Sequence, residues 1–168
     1  GHNLDIDIGT ETVWNTGGIF VPIVTARTLS IVSDSTADDD GSTGANSIII
    51  YGVDANWVAQ TVVVTMNGVT PVVTTETWLG INRMSIYLSG TGGVNAGLIT
   101  ATATTEATIQ SSIPIGLGTS QTGFFFVQAG HTILMDWLYI TLVKNAGGTQ
   151  PELTAKAWVT SAVSGSKY

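Results

Sequence analysis

The chain has 168 residues, 43% of them hydrophobic, which suits one domain or at most two small ones and argues against a disordered chain. Only 10% are charged, and 26 threonines and 20 glycines fill the polar share, so composition points to strands and turns and away from a helical bundle. The net charge is −7, and the five basic residues, Arg27, Arg83, Lys144, Lys156 and Lys167, are scattered, which argues against a basic face for nucleic acid.

In chain order, residues 1–25 show no sustained period and hold Trp14, Gly17, Gly18, Ile19, Phe20 and Pro22. They read as an irregular N-terminal arm preceding a β-sandwich domain over residues 26–168. The arm is expected to reach away and to anchor on a neighbouring subunit through Trp14, Ile19 and Phe20, since large apolar groups are costly to leave in water. LSIVS (29–33) and NSIIIYG (46–52) read as strands joined by the polar loop DSTADDDGSTG. QTVVVTM (60–66) and VTPVVTT (69–75) flank Asn67-Gly68, a strong hairpin signal. Pro71 conflicts with it, because in a two-residue hairpin it would face Val64 and has no N–H to give. A wider loop is therefore expected, or pairing that resumes after Pro71 on an edge. INRMSIYLS (81–89) alternates cleanly, as does LITATATT (98–105). ATIQSSI (107–113), TGFFFVQ (122–128), HTILMDWLYITLV (131–143) and LTAKAWVTS (153–161) supply further strands.

The pattern predicts an all-β fold: an antiparallel β-sandwich, jelly-roll-like, of about nine strands. Its expected core is Ile31, Ile49, Val63, Met84, Ile86, Ile99, Phe125, Leu138 and Ile140. Phe125→Ala, if the ring is buried, would cost roughly 3–5 kcal/mol. Large apolar groups on both faces of residues 133–143, together with Phe124, Phe126, Trp137 and Tyr139, suggest a subunit interface and a homo-oligomer, with a trimer favoured.

Residues able to carry chemistry are few. There is no cysteine and no apolar run of the roughly 18 residues a membrane helix needs, and GHNLDIDIG lacks the features of a signal peptide. Only His2 and His131 are present, no G-x-S-x-G elbow occurs, and a triad would have to recruit His131 with Asp136 or Asp54. Glu76, Glu106 and Asp136 are the acids near expected core strands. The reading is non-enzymatic, with no cofactor. The most pointed feature is Asp34, Asp38, Asp39 and Asp40 before Gly41. Oxygen ligands this close can hold Ca²⁺, but an EF-hand register puts Thr36 at position 1 and Ser47 at position 12, where Asp and Glu are needed. A solvated hairpin tip is the plainer reading, and no metal site is assigned. Trp57, in GVDANW, lies in a turn where an aromatic ring stacks on sugar or caps a core.

Several blocks in fixed order, ETVWNTGG, TLSIVSDSTADDDGSTGANSIIIYGVDANW, MNGVTPVVTTETWLGINRM, GTGGVNAGLIT and FFFVQAGHT, resemble a family of virion structural proteins of tailed bacteriophages, especially marine and cyanobacterial ones. The resemblance covers roughly residues 11–144 and carries over no catalytic or metal residue. It implies a particle component located in the virion and assembled in the host cytoplasm. Low charge and surplus apolar groups then suggest a capsid decoration or cement protein that stabilises the shell. Its expected partners are other copies of itself and virion proteins such as the major capsid protein, with no nucleic acid and no membrane. The alternative is a fibre or tail-tip module recognising host-surface glycans through the acidic loop and Trp57.

Overall fold

Period-2 alternation is realised as seven strands and no helix in the computed structural model, which describes residues 1–3, 9–134, 136, 139, 140 and 155. The strands are β1 (Leu29–Ser33), β2 (Ala45–Val53), β3 (Ala59–Thr65), β4 (Val72–Val73), β5 (Gly80–Ser89), β6 (Ile99–Ala103) and β7 (Ile109–Ile113). They form two antiparallel sheets, ordered β4-β1-β6-β7 and β3-β2-β5. The all-β sandwich expected from the sequence is thus present, with seven strands among the described residues rather than nine.

The chain divides into two compact units, Gly1–Thr132 and Ile133–Tyr168. In the first, β1 and β6 have the purest alternation, with every second residue buried. Leu29 and Ile31 of β1 join Ile99, Ala101 and Ala103 of β6, Ile48 and Ile50 of β2, and Ile81 and Met84 of β5 in one core. Trp78 is its largest side chain, and the bridge between Arg27 and Trp78 holds it there. Each fully buried Leu or Ile contributes about 1.5–3 kcal/mol through the area it removes from water.

Ile31, Met84 and Ile99 are buried as expected, and Ile86 packs against the core in part. Ile49 and Val63 are one residue out of phase: Ile48, Ile50 and Val64 point inward, and Val63 is exposed. The runs Ile48–Ile49–Ile50 and Val62–Val63–Val64 offer apolar groups to both faces, so alternation alone leaves their phase open. The pairings Ile48↔Val64 and Ile50↔Val62 set it. Phe125 and Ile140 are exposed rather than buried, and Leu138 lies outside the described residues.

Asn67-Gly68 does not close a hairpin between β3 and β4. Gly68 adopts φ +55°, Thr70 N donates to Asn67 O (2.9 Å), and the chain passes from one sheet to the other. β4 begins directly after Pro71 and pairs with β1 as an edge strand, the arrangement that proline permits. Residues 122–128 are not a strand. They run beside β5, where the register shift between Tyr51 and Gly52 leaves Asn82 as the extra residue of a bulge. The Asn82 carboxamide replaces ladder bonds by accepting from Phe126 N (2.6 Å) and donating to Phe126 O (2.9 Å). Of the expected strand over 131–143, the described residues His131–Leu134, Asp136, Tyr139 and Ile140 lie in no strand. Trp137, residues 141–143, and the expected strand over 153–161 except Ala155, lie outside the described residues.

Candidate functional site

The acidic loop is organised around a buried carboxylate. Asp38 is fully buried, and its Oδ1 accepts from Ala45 N (2.7 Å) and Ala96 N (2.8 Å). Its Oδ2 accepts from Ser33 Oγ (2.6 Å) and Gly97 N (2.8 Å). One side chain therefore ties the end of β1, the start of β2 and the loop before β6. Asp34 accepts from Leu98 N (2.8 Å), and Asp39 Oδ1 accepts from Asp40 N (2.8 Å). Among the described residues no three His, Cys, Asp or Glu side chains are grouped to hold a metal ion. The carboxylate best placed to be a ligand, Asp38, has its acceptor sites directed at backbone donors and a hydroxyl.

Four of the residues expected at an interface come together within the first unit. Trp14 is 5% exposed and meets Phe20 edge-on at 5.3 Å. Phe20 stacks on Phe124 at 4.0 Å, and Phe124 meets Phe126 edge-on at 6.0 Å. The Phe126 ring covers Gly80 so closely that a Cβ there would collide with it. The expectation that Trp14 and Phe20 reach to a neighbour gives way to anchoring on their own sandwich. Ile23 joins the core, Gln110 Nε2 donates to Val21 O (3.1 Å), and Asn15 bonds to Ser112 Oγ. Ile19 is 68% exposed, Tyr139 is exposed, and Trp137 is outside the described residues.

Trp57 caps this cluster rather than standing free. It is half-buried, and its ring lies 6.5 Å from that of Phe126. It ends the β2–β3 turn at φ +60°, a conformation in which such turns favour glycine. Asp54 sets that turn, its Oδ1 accepting from Asn56 N and Val58 N, both at 2.8 Å. The Trp57 carbonyl accepts from Ala129 N (2.8 Å), which fixes the chain after Phe126.

The bulge at Asn82 has a second consequence, missed in the sequence because it depends on pairing. By clamping Phe126 it presents Phe125 to solvent beside Tyr51 and Arg83, which are opposite each other in register. The Arg83 guanidinium carbon lies 5.6 Å from the centre of the Tyr51 ring, and no carboxylate pairs with it among the described residues. Tyr51, Gly52, Gln60, Asn82, Arg83 and Phe125 line an open depression of about 360 Å³.

The remaining chemical candidates are dispersed. His2 and His131 are exposed, and His131 closes a local turn through Gln128 Nε2 (2.7 Å) and Ala129 O (3.1 Å). Glu106 pairs with Arg27 at 3.0 Å, Glu76 is half-buried, and Asp136 is exposed. No helix of the described residues is long and apolar enough to cross a membrane. Compared with protein-family models, curated proteins and solved structures, the chain gives no match.

Proposed function

We propose that this chain is a non-enzymatic structural component of a bacteriophage particle, present in many copies on the capsid as a decoration protein. The observation that carries this reading is the apolar surface of the described residues beyond Thr132. Ile133, Leu134, Tyr139 and Ile140 are 48, 90, 85 and 51% exposed. Large apolar groups exposed in this way suit an association surface. A hydroxyl-rich sandwich with only 10% charged residues suits a component whose role is packing. The sequence resemblance to tailed-phage virion proteins supplies the particle. The test is quantitative mass spectrometry of purified virions from the parent phage. A copy number comparable to that of the major capsid protein is expected; absence from the particle overturns the proposal.

The depression at Tyr51, Arg83 and Phe125 favours a second reading, a receptor-binding module. A guanidinium without a carboxylate partner among the described residues, beside two exposed rings, is suited to an acidic sugar, with its carboxylate on Arg83 and its ring face on Phe125. Titration with oligogalacturonate tests it. Saturable binding that Arg83→Gln abolishes, together with a copy number matching the few tail fibres, would favour this reading over the first.

A further inference from the structure

We infer that the free edge of β3 is a docking surface for a second copy of this chain, β3 against β3 in antiparallel register, which makes one continuous sheet through both copies. The inference stands without the phage reading.

The argument begins with the ladder. Met66 N donates to Asn46 O (2.9 Å) and Asp54 N to Val58 O (2.9 Å), so these pairs bracket β3 in its bonding to β2. Antiparallel alternation then commits the backbone of Gln60, Val62 and Val64 to β2 and turns that of Ala59, Thr61, Val63 and Thr65 outward. All four outward residues are exposed, and no hydrogen bond joins their backbone groups to another described residue. An edge of this kind is a template for another strand.

The other edges are bonded, covered or short. Along β5, Ile86 N donates to Gly118 O (2.9 Å), Ser120 N to Met84 O (2.8 Å), and Asn82 clamps Phe126. β7 is buried from Gln110 to Ile113, where its Gln110 and Ser112 side chains bond to the segment around Asn15 and Val21. β4 is two residues long and follows Pro71. β3 has seven residues, AQTVVVT, with none of the lysines, acids or prolines that blunt natural edges.

The strand itself points to the same strand as occupant. With a two-fold axis at Val62, Ala59 faces Thr65 of the second copy and Thr61 faces Val63. Outward residues meet only outward residues, so each free N–H and C=O finds a partner. The facing side chains are small or β-branched, which favours cross-strand packing. The chain carries −7, but this strand carries no charge, so two copies approach here without like charges opposite each other. The geometry gives a dimer rather than the trimer suggested by apolar surplus alone.

The test uses the full chain. Light scattering after size exclusion is expected to give twice the chain mass. Val63→Pro removes an outward donor that β2 does not use, and it should return the mass to one chain while leaving the circular dichroism spectrum unchanged. Val63→Lys, which keeps the backbone donor, should do the same by placing charges near the axis. Amide hydrogen exchange reads the contact without mutation: the amides of Thr61 and Val63 should be protected in concentrated protein and lose that protection on dilution. A monomeric or trimeric wild type, a dimer that survives both substitutions, or Thr61 and Val63 amides that exchange freely in the dimer, would each overturn the inference. A dimer surviving both substitutions would instead place the contact elsewhere, and particle copy number would still decide the proposed function separately.

Discussion

Asp38 shows how one side chain can hold three segments of the chain in place. Its two oxygens accept from three backbone N–H groups and one hydroxyl in a site closed to water. An asparagine keeps the shape but turns an NH₂ toward donors. Each buried donor left without an acceptor costs about 1–3 kcal/mol. Asp38→Asn is therefore expected to lower unfolding free energy by about 2–4 kcal/mol, read as a lower urea midpoint at unchanged slope. Exposed Asp40→Asn should change it by less than about 0.5 kcal/mol. Backbone strain gives the opposite sign at Ala107, which sits at φ +54°. Glycine removes the Cβ conflict there, although it loses more entropy on folding. Ala107→Gly should thus raise stability by up to about 1 kcal/mol in thermal unfolding. Trp57→Gly should not gain in the same way, because it gives up the ring contact with Phe126.

At the scale of elements, the N-terminal segment has no regular structure yet completes the sandwich. Trp14 and Phe20 pack against Phe124 and Phe126, while Phe125 between them is 60% exposed. Trp14→Ala should cost about 3–5 kcal/mol, and Phe125→Ala should stay within about 0.5 kcal/mol, both measured by denaturant unfolding. This contrast also marks how far the sequence could be read. β1 and β6 were legible because each alternates strictly between buried and half-buried residues. β2 and β3 were legible as strands but not in phase, because Ile48–Ile50 and Val62–Val64 present apolar groups to both faces. Phe124–Phe126 alternates as a strand would, but rings of the N-terminal segment and the Asn82 side chain satisfy that alternation instead of a neighbouring strand. The role of Asp38 was hidden by distance: its acceptors serve Ala96 and Gly97, 58 and 59 residues away in sequence. An acidic run therefore resembled an ion site while its buried member was structural.

For the whole molecule, net charge and the β3 edge act in opposite directions. Every copy carries −7, so two copies approaching each other are repelled wherever their surfaces face across water. The contact proposed for β3 is formed by backbone hydrogen bonds and uncharged side chains, so no attraction between ions helps to hold it. The Debye length falls from about 10 Å at 0.1 M salt to about 3 Å at 1 M, which screens the long-range repulsion and leaves short backbone bonds nearly untouched. Sodium chloride should therefore strengthen self-association. The dissociation constant, measured by sedimentation equilibrium, is expected to fall as salt rises across that range, and Val63→Pro, which lacks the donor whatever the salt, should remain monomeric throughout. A constant that rises with salt would mean that ion pairs hold the copies together, and would move the contact away from an edge that contains no ions.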